Sequence, residues 1–127
     1  MRKKFSVLVG FCVLLYLTPA NGFGQALASG WYDEYGSVSW GEEQLRLDDF
    51  GMFLRRNSDY VGYIAIYRGP QESKKKVESR MKRIRSHLIR ALELKEARLV
   101  FILKNKSHQS RTILQPTSRN VRPPDFP

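Results

Sequence analysis

The chain has 127 residues, and 22 Lys and Arg against 12 Asp and Glu give it a formal charge of +10. That length suits one domain and not comfortably two. Its one cysteine, Cys12, excludes an internal disulfide and any site built from several thiolates.

Arg2-Lys3-Lys4 is a positive opening, and Phe5 to Leu17 is apolar apart from Ser6 and Gly10. Small residues follow at Thr18-Pro19-Ala20 and at Ala26-Leu27-Ala28. This is the layout of a secretory signal peptide over residues 1–28, with cleavage after Ala20, Gly22, Ala26 or Ala28. The apolar run is shorter than the roughly 20 residues of a membrane-spanning helix, so no transmembrane span is expected once the signal is removed. An uncleaved membrane anchor is the alternative. Cys12 would leave with the signal, and bulky Phe11 before it does not suit lipid attachment. The mature chain would then lack cysteine, which fits a bacterial periplasmic protein better than a small animal secreted module. Losing Arg2, Lys3 and Lys4 takes the charge from +10 to +7, because no acidic residue precedes Asp33. A basic exported protein meets anionic polymers: cell-wall glycans with their peptide carboxylates, lipid headgroups, polysaccharide or stray nucleic acid. Charge alone does not choose among them.

An aromatic and acidic entry segment, Trp31 to Tyr35, leads to Gly36-Ser37-Val38-Ser39-Trp40. The alternation over Ser37 to Trp40 predicts a first, half-buried strand. Gly41-Glu42-Glu43 opens a helix, with acids at its positive end and Arg55-Arg56 at its negative end. Leu47, Phe50 and Leu54 form its inner face, Leu45 and Phe53 the edges, and Asn57-Ser58-Asp59 the stop. Asp48 and Asp49 are adjacent, so they point about 100° apart and read as a solvated face rather than a catalytic pair. Val61 to Tyr67 is a central strand, with Val61, Tyr63, Ala65 and Tyr67 on one face and Ile64 and Ile66 on the other. After the turn Arg68-Gly69-Pro70, a long basic helix runs from about Glu72 to Leu94. Val77, Met81, Ile84, Leu88 and Leu92 form its buried stripe. Ala97 to Leu103 is a third strand. Ser110 to Gln115 is a fourth, ended by Pro116 and paired with the third as a hairpin. The tail 117–127, with Pro123, Pro124, Pro127, Arg119 and Arg122, is expected to be extended and loose.

The fold expected is therefore α/β of the α+β kind, strand-helix-strand-helix-strand-strand, with two helices on one face of a small mixed sheet over residues 29–116. Nothing in it looks like a catalytic centre, and the expectation is a non-enzyme without cofactor or metal. His87 and His108 are the only histidines and form no zinc-binding pair. There is no nucleophile elbow and no Gly-rich phosphate loop. The run Lys74-Lys75-Lys76 with Lys82, Arg83, Arg85 and Arg90 reads as a solvated face, or as a salt-sensitive surface for anionic lipid or nucleic acid. Export makes nucleic acid an unsuitable partner. Trp31, Tyr32 and Tyr35 could stack on sugars, whereas Trp40 suits the core.

This element order resembles the OmpA-like domain, the peptidoglycan-associated module of Gram-negative envelopes. Ser79-Arg80-Met81-Lys82-Arg83-Ile84-Arg85-Ser86-His87-Leu88 resembles that family's second-helix motif, with Met81 for the usual alanine and His87 for the aromatic residue. The chain is more similar still to a group of small uncharacterised exported bacterial proteins. Asp33-Glu34-Tyr35-Gly36, Leu47-Asp48-Asp49-Phe50, Gly62-Tyr63-Ile64 with Tyr67, and Arg80 with Arg83 carry that likeness over roughly residues 33–116. The resemblance implies a periplasmic or envelope location and an Arg80 that, with a loop Asp, clamps the diaminopimelate group of the wall peptide. Here the loop reads Arg68-Gly69-Pro70-Gln71 and has no Asp; Glu72, the nearest carboxylate, is out of register.

On the helix, Arg80 lies at the border of the buried stripe with His87 beside it and Arg83 further out. The expected ligand-binding set is Arg80, His87, Arg83 and Arg68, an anion site. The alternative is that Arg80 pairs internally with a carboxylate or covers the helix–sheet edge. The function expected is that of an envelope-associated binding or structural module, with peptidoglycan or another anionic envelope polymer as partner. An envelope protein partner, or electrostatic attachment to anionic lipid, is the alternative.

Overall fold

The computed structural model describes residues 33–127 other than Lys106. The expected signal segment, Trp31 and Tyr32 lie outside the described residues. The elements are β1 (Asp33–Tyr35), α1 (Trp40–Arg56), β2 (Tyr60–Tyr67), α2 (Lys74–Ser86), β3 (Leu99–Lys104) and β4 (Arg111–Ser118). α2 continues into a π-helical turn, His87–Ala91, and a 3-10 turn, Glu96–Arg98, precedes β3. This is the expected strand-helix-strand-helix-strand-strand order, two helices with a four-stranded mixed sheet. No described helix is long and apolar enough to cross a membrane.

The strand predicted at Ser37 to Trp40 is not there. Ser39 caps α1 instead, its Oγ accepting the Glu42 N–H at 3.2 Å, and Trp40 is the first helical residue. Ser39 and Glu42 have the spacing of a capping box, a helix-start signal that outweighs four residues of alternation. The first strand lies earlier, where Tyr35 turns into the core and pairs with Thr112.

The sheet order is β1-β4-β2-β3. β3 runs parallel to β2, with Gly62 opposite Leu99 and Tyr67 opposite Lys104. β4 is antiparallel to both β2 and β1. The predicted hairpin of the last two strands is therefore absent, and β2 lies between them. The link from β3 to β4 steps across the end of β2, where Arg68 N–H donates to Lys104 O (3.3 Å) and Ser107 N–H to Arg68 O (2.8 Å). β4 takes an inner place because Thr112, Ile113 and Leu114 are all buried. It also runs past Pro116 to Ser118. The described part of β1 reaches only to Leu114, so among the described residues β4 has no neighbour on that side at Pro116, where a missing N–H removes no ladder bond.

The main core lies on the helix side. Leu47, Phe50 and Leu54 of α1, Ile64 and Ile66 of β2, Ile84 and Leu88 beyond, and Leu114 are fully buried. Gly62 is where α1 approaches β2 most closely: a Cβ there would lie 2.6 Å from Leu54 Cδ1 and 2.7 Å from Phe50 Cζ. A smaller cluster covers the other face, with Ala65, Tyr67, Ile113 and Phe126. The two faces of β2 are thus divided as its alternation predicts. The stretch 117–127, read from sequence as loose, is tied at both ends. Arg119 N–H donates to Asp59 O (2.8 Å), Phe126 is buried, and Tyr67 OH donates to Pro127 O (2.7 Å).

The second helix ends earlier than its stripe. Leu92 N–H reaches His87 O and Leu94 N–H reaches Leu88 O, while Glu93 takes a left-handed φ of 57°. The extra residue in the turn keeps Leu88, Leu92 and Leu94 all on the core side.

Candidate functional site

The site is built where the loop after β2 meets the start of α2. Ser73 caps α2, its Oγ accepting the Lys76 N–H at 3.1 Å. That cap leaves Glu72 just outside the helix, and its carboxylate folds back over the loop. Glu72 Oε1 accepts from Gly69 N–H at 2.9 Å, and Oε2 accepts from Arg80 Nη1 at 3.0 Å. Gly69 is required by close approach: a Cβ there would lie 2.8 Å from the Ser110 backbone nitrogen. Arg80 also donates to Ser110 Oγ through Nη1 and to the Tyr67 carbonyl through Nη2 (3.1 Å). One guanidinium therefore ties α2 to the end of β2, the loop and the start of β4. Both partners are shielded, with side chains 13 % and 11 % exposed.

Burial by itself would push the Glu72 carboxyl up. The Gly69 N–H, the Ser110 hydroxyl and the Arg80 and Lys76 charges outweigh it and hold the group below its ordinary 4.5. Arg68 also converges on Glu72, through its backbone: Nε donates to Glu72 O at 2.8 Å.

A second ion pair sits on the far side of a cleft of about 500 Å³. Glu43, in the first turn of α1, has a side chain only 4 % exposed and accepts from Arg83 Nη2 at 3.0 Å. Arg83 itself is half exposed and stacks over the Trp40 ring at 4.7 Å. Burial, and the Glu43 charge beside it, push the Tyr35 phenol up and keep it neutral. The cleft is lined by Gly36, Ser37 and Val38 from the segment before α1 and by Glu43, Glu72, Lys76, Arg80 and Arg83.

The structure thus brings Arg80, Arg83 and Arg68 to one region and separates His87 from them. His87 Nε2 meets Asp48 Oδ1 at 2.7 Å and packs edge-on to Trp40 at 5.6 Å. It fastens α2 to α1 and is not in the cleft. The π-helical turn that begins at His87 accompanies its turn toward α1. Asp48 is accordingly half-engaged, not purely a solvated surface residue. Of the two sequence readings of Arg80, internal pairing is the one observed. Glu72, set aside on spacing, is the carboxylate it meets. Glu43 reads from sequence only as an acid at a helix start, because Glu is ordinarily exposed. Among the described residues no group of three or more His, Cys, Asp or Glu is placed to hold a metal ion.

No protein-family model matches the chain, and no curated protein matches it significantly.

The outer face of α2 differs from this locked corner. Lys74, Lys75, Lys76, Lys82 and Arg90 form no ion pair among the described residues, while Arg85 pairs with Glu96. Three lysines occupy the first turn of the helix, and no acid stands there. That is the wrong sign for the positive end of a helix dipole, at a cost of some 0.3–1 kcal/mol for each such charge.

Proposed function

We propose that this chain is an exported, non-catalytic envelope-associated binding module with a diverged OmpA-like fold, and that it holds cell-wall peptidoglycan through the basic start of α2. The observation that carries this reading is the lysine first turn. The helix dipole opposes it, and although the Lys76 charge acts on Glu72, none of the three lysines forms an ion pair among the described residues, so the fold makes little use of them. An anionic partner would use them. Lys76 also lines the cleft, where Arg83 is half exposed and the carboxylates of Glu43 and Glu72 are already engaged by arginines. Incoming carboxylates of a wall peptide would meet Lys76 and the outer side of Arg83. A volume of this size suits a small group rather than a long chain.

The Glu72–Arg80 pair supports the family reading from a second direction. The resemblance expects a loop carboxylate facing the helix arginine, and Glu72 fills that place from a different position in the chain. Arg80 then organises the pocket from behind, with its bonds spent on protein, and Lys76 and Arg83 meet the ligand.

Cosedimentation with purified peptidoglycan tests this. The protein is expressed from the whole sequence and assayed at low and at physiological salt. Native protein should pellet with the wall at both. Lys76→Ala combined with Arg83→Ala should lose at least about tenfold in affinity, the loss of two charge-assisted contacts. Binding that disappears at physiological salt, or that ignores these two residues, removes the pocket and leaves only the fold in common with wall-binding modules.

A further inference from the structure

Among the described residues the sheet leaves one long edge unpaired, and it belongs to β3. β3 has β2 on one side and no described strand on the other. Arg68 N–H donates to Lys104 O, which fixes the phase of this parallel ladder. Alternate residues of a parallel strand bond to a given neighbour, so Val100, Ile102 and Lys104 serve β2. Leu99, Phe101 and Leu103 turn their backbone groups outward. Leu99 N–H is taken up by Glu96 O. The remaining outward groups have no backbone partner among the described residues beyond the strand itself.

The only guard within the strand is Lys104 at its end. From Leu99 to Leu103 there is no charge, proline or glycine, although natural edges usually carry one. Leu103 is 45 % exposed, and Val100, Phe101 and Ile102 are only partly covered. β1 at the opposite edge is three residues long and carries Asp33 and Glu34.

We propose that β3 pairs antiparallel with β3 of a second copy of this chain, about a two-fold axis at Phe101. The sequence of the strand names the occupant. Leu-Val-Phe-Ile-Leu reads nearly the same in both directions. Pairing about Phe101 sets Leu99 against Leu103 of the second copy, Val100 against Ile102, and Phe101 against itself. The same register puts Leu99, Phe101 and Leu103 at the hydrogen-bonded positions of the new ladder: Phe101 exchanges bonds with Phe101 of the second copy, and Leu103 N–H donates to Leu99 O, while Leu99 N–H stays with Glu96 O. In this register every residue from Leu99 to Leu103 meets an apolar residue of the second copy. The next pair outward would be Arg98 against Lys104, two cations. Arg98 is drawn away from the edge, its Nη2 donating to the Asn57 and Tyr60 carbonyls at 2.7 Å each. A two-fold contact of this kind is closed, because each copy spends the only long free edge among its described residues. This inference does not rest on wall binding.

Sedimentation velocity across a concentration series tests it, on protein expressed from the whole sequence, with circular dichroism to confirm folding. The native protein should form a dimer and stop there. Leu103→Pro deletes an outward N–H without touching the β2 ladder, and Leu103→Lys places a charge against Leu99 of the second copy. Each should weaken the dimer at least about tenfold. Leu103→Lys still decides the matter if the proline variant does not fold, since a half-exposed lysine stem is readily accommodated. A native protein that stays monomeric overturns the proposal. So does a dimer that survives Leu103→Lys in folded protein, or assembly that continues past two copies.

Discussion

Arg80 and Lys75 stand on the same helix in opposite surroundings. Arg80 is nearly enclosed and donates to Glu72, Ser110 and the Tyr67 carbonyl. Lys75 is exposed, has no ion-pair partner among the described residues, and faces the positive end of its own helix. Composition counts the two alike. The structure gives them different work, because a cation in a shielded corner is held by fixed acceptors whereas one in water is held by nothing. The difference teaches that the charge which looks most site-like on a helical wheel belongs here to the architecture. The charge that looks like ordinary solvation is the one left over for a partner.

The sharpest way to break that comparison is to remove Arg80. Arg80→Ala leaves Glu72 shielded with its guanidinium gone, along with the tie to β4. The unfolding free energy should fall by roughly 3 kcal/mol, toward the lower end for a broken buried pair because both side chains keep some exposure. Urea titration measures it. A loss within about 0.5 kcal/mol, as for an ordinary surface residue, would make Arg80 as dispensable to the fold as Lys75 is expected to be. A double-mutant cycle with Glu72→Ala should return a coupling of about 1–3 kcal/mol, since the two groups share one network.

Acidification separates the same two cations more gently. The Glu72 carboxyl is held below its ordinary 4.5 in the folded chain. A lowered folded value means that its stabilising contribution is complete above 4.5 and is lost as pH falls through the folded value. Native protein should therefore lose stability on the acid side of 4.5 more steeply than Glu72→Gln, whose amide does not titrate there. The two urea midpoints, followed from neutral pH downward, should converge as the pH drops. Parallel curves would mean that Glu72 feels no net pull from Arg80 and the loop. Lys75→Ala should leave the acid limb unchanged.

Much of the fold is legible in the sequence. Leu47, Phe50 and Leu54 on α1, and Val77, Ile84 and Leu88 beyond β2, mark the core by spacing alone, and all are buried. What spacing could not reach was pairing between distant segments. Leu99 to Leu103 and Arg111 to Gln115 are neighbours in sequence with a polar link between them, which is what a hairpin looks like. Yet Ile113 and Leu114 need cover on both faces, and the inner place beside β2 provides it. The site failed in the same way. Glu72 meets Arg80 only because Ser73 starts the helix one residue later and Gly69 lets the loop fold down onto Ser110. No periodicity encodes that turn. His87 lies on the flank its spacing predicts, but Asp48 and Trp40 on α1 claim it, and only the packing of one helix on the other could reveal that.

The smallest effect is also the most discriminating between fold and function. Lys75→Glu replaces a charge that opposes the helix dipole with one that favours it, a gain of about 0.6–2 kcal/mol at low ionic strength. Its attraction to Glu78, three residues on, becomes a repulsion, at a cost of about 0.4–1 kcal/mol. The net expectation is a slight stabilisation, about 0.6 kcal/mol, read as a small rise in the urea midpoint. The same substitution should weaken cosedimentation with peptidoglycan several-fold, because it reverses a charge in the patch that carries the proposed contact. Stability that rises while binding falls would show that the lysine is kept against the interest of the helix, as a binding surface requires. Stability and binding falling together would mean that the first turn depends on Lys75 for the fold itself, and the argument from the helix dipole would fail.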